Sequence, residues 1–477
     1  MKSNPSLGEL ARVVSAGKRS RAQVRPPGPR GTPIMGVMRE FNRDSLSFIE
    51  SAQREYGDIV WMRFLYVPAL FLYHPNEIEY VLATNAKNFI KSMSLRSNFF
   101  QRLVGNGLLT SHGDEWKRQR RLTSPAFHRE RIAGYAGTMV DYSKRLTANW
   151  RAGETRDMHR EMMRLTLEIV VRCLFSADVS NDVDEVGATL GELVKPFAAQ
   201  ATLKWILNNR LPTPYHIHFH RLAKKIDDVV YRILAERHAS GTDTGDLLST
   251  LLGARDEDGS QMTDRQLRDE VMTLFLAGHE TTALTLAWSW YLLGMNPDIE
   301  QKFHAELDEV LSDRNPTFAD LPRLKYTEKI AKESMRLYPP AYGLGREAID
   351  DCEIGGYRVP AGTQVFMFQW VTQRDPRFYD RPGEFMPERW TDQFAEQMPK
   401  YAYFPFGGGP RACIGASFAM MEIVLVLATI GQKFRLELVP DHPVSIYPAM
   451  SLRPRDGVKI VVRSRPGTRP ILRSKNS

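Results

Sequence analysis

The sequence predicts a mainly helical fold with a small β region, contained in one domain. Long segments with helical spacing lie between two short strand-rich regions, and neither a repeat nor a low-complexity linker interrupts them. Hydrophobic residues make up 43% and charged residues 25% of the 477 residues, a balance typical of a globular chain with a large core. We expect one domain over residues 31–462, a basic, proline-rich flexible leader over 1–30 and a basic flexible tail over 463–477.

Two strand-like runs predict a hairpin near the start of this domain. They cover residues 59–64 and 69–73, with Pro68 in the turn between them. A second strand-rich region is predicted late in the chain, at 357–368 and 458–462.

The longest predicted helix lies between these regions and runs from Thr263 to about Leu293. Thr263 and Gln266 form a capping box at its start, while Gly294 and Pro297 end it. At 1.5 Å per residue the helix would be roughly 45 Å long, enough to cross the whole domain.

The net charge of +8 is concentrated at the two ends of the chain. Residues 1–30 carry +6 and residues 463–477 carry +5, which leaves −3 for the body. The charge therefore indicates solvated tails, and we expect no nucleic-acid partner. Weak attraction of the tails to anionic lipid or to an acidic protein is the alternative.

The N-terminal residues and the cysteines indicate the cellular compartment of the protein. Charges interrupt residues 1–25 throughout, so we expect neither a signal peptide nor a transmembrane anchor. Cys173, Cys352 and Cys413 are far apart and odd in number, which argues against a disulfide framework and a cysteine zinc site. A reducing cytoplasm fits this pattern.

The most informative segment is the glycine-rich run 406–415, which presents Cys413 just before an apolar helical stretch. A helix N-terminus favours the anionic sulfur, so we expect Cys413 to lose its proton easily. Phe406 can shield the sulfur, Arg411 can reach an acidic group, and Gly415 lets backbone amides approach. These features suit a haem with an axial cysteine. A glycine-rich turn around a structural cysteine is the alternative.

A polar break interrupts the apolar face of the longest helix. Ala277 and Thr281 are four residues apart and share a face, so a small residue leaves room for a ligand beside a hydroxyl. The adjacent Glu280 can pass protons inward. His279 and Glu280 begin like the zinc motif H-E-x-x-H, but Ala283 stands at the second histidine position. A transmembrane helix is disfavoured because Glu280 would lie in mid-bilayer.

These two runs resemble motifs of the cytochrome P-450 superfamily, F-x-x-G-x-R-x-C-x-G and [AG]-G-x-[DE]-T-[TS], and every fixed position is filled. The resemblance implies the family's triangular single domain around a b-type haem. Cys413 would be the axial iron ligand, with Phe406, Gly415 and Ala277 beside the haem. Thr281 and Glu280 would deliver protons during oxygen activation.

Other elements resemble further motifs of the same family. Glu333 and Arg336 match E-x-x-R, and Arg389 lies in an element similar to P-E-R-F, with Trp390 in place of phenylalanine. The resemblance implies a structural triad of Glu333, Arg336 and Arg389 that holds the cysteine loop. Without the resemblance, a Glu–Arg pair at the spacing of Glu333 and Arg336 is usually a surface ion pair.

A third element implies contacts to the haem propionates. Trp116 and Arg120 match W-x-x-x-R, and Arg411 and Arg346 would supply further donors.

By analogy with the family, the substrate pocket is built from mostly apolar residues. They are Leu109, Ala277, Ala341, Tyr342, Ala449 and Met450. A lipophilic substrate is therefore expected, either a fatty acid or a terpenoid or steroid-like compound.

The resemblance implies a monooxygenase that inserts one oxygen atom from O2 into this substrate. No G-x-G-x-x-G follows a strand, so electrons would come from a separate ferredoxin or flavodoxin-type donor with its reductase. The sequence is similar to the soluble bacterial members, and we expect a monomer. A peroxide-driven enzyme and a non-catalytic haem gas-binding protein are alternatives, although the Glu280–Thr281 pair favours oxygen activation.

Overall fold

A computed structural model of the chain describes residues 25–176, 183–194, 213–256 and 258–465. The predicted leader up to residue 24 and the predicted tail from residue 466 lie outside the described residues. Among the described residues, none of the helices is both long enough and apolar enough to span a lipid bilayer.

Helices account for most of the regular structure, as the sequence predicts. The α-helices of the described residues are α1 (Met38–Arg43), α2 (Ser45–Tyr56), α3 (Pro75–Glu79), α4 (Asn98–Val104), α5 (Gly113–Thr123), α6 (Arg129–Thr147), α7 (Met158–Phe175), α8 (Val183–Val194), α9 (Pro214–Ser240), α10 (Leu247–Gly253), α11 (Asp264–Met295), α12 (Pro297–Leu311), α13 (Lys325–Leu337), α14 (Gln369–Thr372), α15 (Asp392–Gln397) and α16 (Ala416–Gly431).

The β region is small and divided among several sheets. The strands are β1 (Ile59–Phe64), β2 (Val67–Leu72), β3 (Phe89–Lys91), β4 (Thr155–Asp157), β5 (Leu344–Ala348), β6 (Cys352–Ile354), β7 (Tyr357–Val359), β8 (Gln364–Met367), β9 (Phe434–Leu438), β10 (Ile446–Pro448), β11 (Leu452–Pro454) and β12 (Lys459–Ser464). The largest sheet has the order β1-β2-β8-β5-β3, in which only β2 and β8 are parallel. Strands β4, β12 and β9 form a second sheet, and β6–β7 and β10–β11 are separate hairpins.

Helix α11 lies at the centre of the helical part and packs most extensively against α7. The predicted capping box is present, with Thr263 and Gln266 each accepting a hydrogen bond from the other's backbone N–H. The two helices are in close contact at Gly278, since a Cβ atom there would lie 3.1 Å from Val170 on α7. The polar break of α11 therefore lies within the core of the domain.

The early hairpin forms, but its turn is shorter than the sequence predicts. Strand β2 begins at Val67, so Pro68 lies within the strand and pairs with Arg63 rather than forming the turn. Pairing of β2 with β8 begins only at Ala69. Pro68 is tolerated because β2 has a neighbour on one side alone at that position.

The ends of the body differ slightly from the predicted boundaries. Strand β12 continues to Ser464, and Arg463 forms an ion pair with Glu437 there. At the other end, Pro27 accepts a hydrogen bond from the backbone of Trp61 in β1. The last residues of the leader therefore contact the domain.

Candidate active site

The cysteine loop is a tight structure between the turn at Gly409–Arg411 and helix α16. The Cys413 N–H donates to the carbonyl of Phe406 at 2.9 Å. Gly409 has φ of 63°, and a Cβ atom there would lie 1.8 Å from the carbonyl oxygen of Leu82. Only glycine fits this position. Gly415 is the N-cap of α16, so Cys413 lies just before a helix N-terminus, as the sequence predicts.

The expectation that Cys413 loses its proton easily is not supported. The Cys413 side chain is exposed. The many protein atoms near its sulfur nevertheless desolvate it, and desolvation raises the pKa of the thiol. The Gly415 N–H and the charge of Arg120 act in the opposite direction without outweighing desolvation. A bound cation would favour the thiolate and act against this desolvation.

Three cationic side chains gather beside this loop without a carboxylate among them. Lys91 on β3 is the cross-strand neighbour of Arg346 on β5. Burial, together with the charges of Arg346 and Arg411, holds the pKa of Lys91 well below its usual value. Burial also lowers the pKa of Arg346 and that of Arg411 to about 10. In the described part of the chain none of the three has an acidic partner, and Arg411 Nη1 is buried without a hydrogen bond.

Helix α5 brings both of its predicted residues to the cysteine loop. The guanidinium of Arg411 lies over the Trp116 ring, 4.4 Å from its centroid, and donates to the carbonyl of Ser111 at 2.9 Å. Arg120 donates instead to the carbonyl of Ala412, at 2.9 Å. Both contacts hold α5 against the segment that carries Cys413.

The polar break of α11 faces two different environments. Ala277 and Thr281 are exposed although nearly all neighbouring residues of the helix are buried, so an internal space reaches the middle of α11 at these two residues. The Thr281 hydroxyl donates to the carbonyl of Ala277 at 2.8 Å. Its oxygen therefore presents its lone pairs as acceptors.

Glu280 is buried on another side of the helix. Its Oε1 accepts hydrogen bonds from Arg453 on β11, at 2.7 Å from Nε, and from the Ser451 hydroxyl. Burial acts to raise the pKa of Glu280, but the charge of Arg453 and the Ser451 hydrogen bond outweigh it, so that the pKa lies below its ordinary value.

The predicted triad residues form one buried network centred on Glu333. Arg336 makes two hydrogen bonds to this carboxylate, at 2.8 and 2.9 Å, and Arg389 makes one at 2.9 Å. The Trp390 indole N–H and the Met386 backbone N–H supply two more. Both Glu333 and Arg336 are fully buried, so this is not the surface ion pair that the spacing alone suggests.

A short chain of contacts connects this network to the cysteine loop. Arg336 donates to the carbonyl of Gln373 at 2.9 Å, and the Gln373 side chain accepts from the backbone N–H of Phe404 at 3.1 Å. Phe404 lies two residues before Phe406. The triad therefore reaches the start of the loop through Gln373.

Two of the predicted pocket residues are in direct contact. The Tyr342 hydroxyl donates to the carbonyl of Ala449 at 3.0 Å, which joins the segment after α13 to the turn of the β10–β11 hairpin. Ala341 and Met450 are half-buried next to them.

The loop that carries Leu109 is fixed to α11. Asp269 accepts from the backbone N–H of Asn106 at 2.9 Å, and Glu270 accepts from that of Leu108 at 3.1 Å. Burial raises the pKa of Glu270 to about 8. Leu109 is thereby positioned by two carboxylates of the central helix.

The residues that the structure describes offer no alternative metal site. Within the described ranges, no three His, Cys, Asp or Glu side chains are grouped so that they could hold a metal ion. His279 donates from Nδ1 to the carbonyl of Phe275 in its own helix, and its Nε2 has no hydrogen-bond partner among the described residues. The zinc interpretation of His279 and Glu280 therefore finds no support.

Several residues of the site were not found by sequence reasoning. Lys91 and Arg453 reach it through strand register and hairpin packing, for which no local motif exists. Gln373, which joins the Glu333 network to Phe404, likewise lies in no motif that the sequence shows. Each of these residues lies far along the chain from the residues that it contacts, so no local sequence pattern indicates the contact.

Comparisons with known proteins agree on one family. A family model described as Cytochrome P450 matches residues 26–462. Cyclooctatin synthase of Streptomyces melanosporofaciens is 38% identical over 89% of this chain and 92% of that protein. Pentalenene oxygenase of Streptomyces avermitilis is 33% identical over 87% and 92%.

The fold is also similar to a solved structure. Retinoic acid-bound cyanobacterial CYP120A1 superposes with a TM-score of 0.84 at 25% identity, covering 93% of this chain and 100% of that one.

Replacing Glu333 with alanine should destabilise the protein strongly, because it leaves Arg336 buried without a counter-charge. The expected loss in the free energy of unfolding is about 3–5 kcal/mol, together with loss of haem from the purified protein. The control is Glu328→Ala on the same helix, which removes an exposed pair with Lys332 and should cost less than about 1 kcal/mol. Normal haem content in Glu333→Ala would contradict the proposed role of the triad.

Proposed function

The chain belongs to the cytochrome P450 family, and from this premise we propose that it hydroxylates a cyclic terpenoid, using a haem b ligated by Cys413 and electrons from a separate protein. It is a monooxygenase of that family. The substrate class, the iron ligand and the electron donor are the parts that are proposed.

The cationic cluster of Lys91, Arg346 and Arg411 is the observation that supports haem at this site. Three positive charges with lowered pKa values and no carboxylate partner are unfavourable by themselves. Two haem propionates would supply the missing negative charge and would accept from the unpartnered Nη1 of Arg411. The residues present therefore fit the cofactor.

The chain's own groups would bind and orient the cofactor in three ways. Cys413 offers its sulfur at the N-terminus of α16, and the cationic cluster, with Trp116 under Arg411, binds the propionates. Arg120 holds the loop at Ala412. When bound, haem supplies the activation of O2 and the transfer of one oxygen atom to the substrate.

Thr281 and Glu280 would hold and move protons at the internal space beside α11. Thr281 presents oxygen lone pairs to the internal space, because its own proton is donated to Ala277. Glu280 immediately precedes Thr281 in the helix and is the carboxyl nearest to it in sequence. In this proposal Glu280 is the source of protons and Thr281 Oγ1 their acceptor, the roles that the resemblance to the family implies.

The apolar character of the pocket residues and the relatives together favour a terpenoid over a fatty acid. Leu109, Ala277 and Met450 present no charge that could hold a carboxylate, and the Tyr342 hydroxyl is already donated to Ala449. Two of the similar proteins bear the names of terpenoids, as cyclooctatin synthase and pentalenene oxygenase.

The electron donor would dock near helix α5, which contacts the cysteine loop. This helix exposes Lys117 and Arg121, which pair with Asp114 and Asp256. An acidic ferredoxin or flavodoxin-type partner would compete with these aspartates. We further propose a monomer located in the cytoplasm.

The first test is the spectrum of the reduced protein under carbon monoxide. Thiolate ligation by Cys413 should give a strongly red-shifted Soret band, which Cys413→Ser should abolish. Cys352→Ser is the matched control, because this half-buried cysteine on β6 should leave the band unchanged. An unchanged band in Cys413→Ser would contradict the proposed ligand.

Substrate class can be tested by titration with cyclic terpene hydrocarbons and alcohols, with saturated fatty acids of similar carbon number as the comparison. A terpenoid that fits should displace water and convert the iron from low to high spin at micromolar concentration. A spin shift given only by the fatty acids would overturn the terpenoid assignment.

Leu109→Phe should change which carbon is oxidised, since Asp269 and Glu270 fix this loop and prevent it from moving away from the added volume. Product analysis by mass spectrometry checks this prediction. An unchanged product pattern with several substrates would show that Leu109 lies outside the pocket.

A further inference from the structure

The loop of residues 105–111, between α4 and α5, lies close against the side of α11. Gly105 has φ of 62°, and a Cβ atom there would overlap the Asp269 carboxylate. A Cβ atom on Gly107 would overlap the Thr273 hydroxyl. Glycine at both positions therefore lets the loop backbone approach the helix this closely.

Two consecutive carboxylates of α11 hold the first half of this loop. Asp269 accepts from the Asn106 N–H at 2.9 Å, and Glu270 accepts from the Leu108 N–H at 3.1 Å. Both carboxylates are buried, so water does not replace these bonds. The loop is thereby fixed to the helix on both sides of Gly107.

Gln119 on α5 joins the two halves of the loop. Its side-chain amide group donates to the carbonyl of Asn106 at 2.7 Å, and its Oε1 accepts from the Ser111 hydroxyl. The Ser111 carbonyl in turn accepts from Arg411 at 2.9 Å. Gln119 is buried, and through these bonds it connects the start of the loop to its end.

Leu109 lies at the centre of the segment that these side chains hold. Among residues 107–111 it alone is half-buried, whereas the other four are buried. A side chain on a loop can direct a substrate only if its backbone keeps its place, because a displacement of about 1 Å is enough to disturb a reacting geometry. The position of Leu109 is set by bonds that its neighbours make and not by its own side chain.

We propose that Gln119, Asp269 and Glu270 are positioning residues that determine which carbon of the substrate is oxidised, because they fix the loop that carries Leu109. They act through Leu109 and need no contact with the substrate. The inference rests on the proposed function, since it takes Leu109 to be a residue of the substrate pocket.

The first test compares Glu270→Leu with Glu270→Gln. Leucine removes the acceptor of the Leu108 N–H, whereas glutamine keeps an acceptor in its amide oxygen at nearly the same volume. The measurement is the ratio of product isomers formed from the cyclic terpene that gives the largest spin shift. Glu270→Leu should change this ratio by about threefold to tenfold, the size of one lost hydrogen bond, and Glu270→Gln should keep the wild-type ratio. The same ratio in all three proteins would overturn the proposal.

The second test replaces Gln119 with leucine, which should change the isomer ratio by a similar factor. The matched control is Gln432→Leu at the end of α16, where a buried glutamine donates to the carbonyls of Ser312 and Arg314 at 2.7 and 2.9 Å. This control should lower the unfolding midpoint as Gln119→Leu does, but it should leave the ratio unchanged. If Gln432→Leu alters the ratio as much, general destabilisation is the cause and the proposal is wrong.

Hydrogen exchange checks the loop without turnover. In Glu270→Leu and Gln119→Leu, the amides of residues 105–111 should exchange faster than in the wild type, because their bonds to α11 or α5 are lost. Mass spectrometry of the haem-containing proteins measures this, with Gln432→Leu again expected to match the wild type. Exchange at the wild-type rate in both loop variants would contradict the positioning role.

The pH profile separates the Glu270 contact from simple packing. Burial raises the pKa of Glu270 to about 8 against the opposing effect of the Leu108 N–H, and the charges that act on it, Asp269 on α11 and Glu115 on α5, are both negative. As the pH rises through about 8, the carboxyl loses its proton and becomes a stronger acceptor for Leu108. The wild-type isomer ratio should therefore change between about pH 7 and about pH 9, while that of Glu270→Gln stays constant. A wild-type ratio that does not depend on pH would remove Glu270 from the proposal.

The two proposals fail in distinguishable ways. If the proposed function is wrong, the wild type lacks the red-shifted carbon monoxide band or forms no product from a terpene. If this inference is wrong, the wild type forms product and both Glu270→Leu and Gln119→Leu give the wild-type ratio.

Discussion

The fold depends on one buried carboxylate, Glu333. An ionised group without solvent is stable only when every neighbouring segment supplies its hydrogen bonds at once. Glu333 receives them from α13 itself, from Arg389 and from the backbone at Met386. Arg336 extends the same network to the carbonyls of Gln373, Pro382 and Glu384. The segment before the cysteine loop is therefore fixed by hydrogen bonds to this buried network as well as by packing.

Two consecutive polar residues of helix α11, Glu280 and Thr281, lie in different environments. Glu280 and Thr281 are about 100° apart around the helix, so they cannot point in the same direction. The exposed Thr281 faces the internal space, and the buried Glu280 faces Arg453. Separating the hydroxyl from the carboxylate lets the protein hold a charge near the site without placing it among apolar pocket residues.

Local signals predicted a large part of this structure, and tertiary contacts account for what they did not predict. The start of α11 follows from a capping box within four residues, and the Glu333–Arg336 contact follows from helical spacing. The pKa of Cys413 was predicted in the wrong direction, because the helix terminus is visible in sequence whereas the surrounding protein atoms are not. Lys91 joins Arg346 only through the β3–β5 register, which nothing near Lys91 specifies.

Charge balance distinguishes several ion pairs of this protein from the cationic cluster beside the cysteine loop. The buried Glu333 and Glu280 are each neutralised by an arginine from another segment or turn, and Asp256 likewise pairs with Arg118 on α5. Such pairs are complete without any ligand. The cluster of Lys91, Arg346 and Arg411 is different, since its charges lower one another's proton affinity and have no counter-charge among the described residues. An anion from outside the chain would complete this cluster, as Arg336 and Arg453 complete the charges of Glu333 and Glu280.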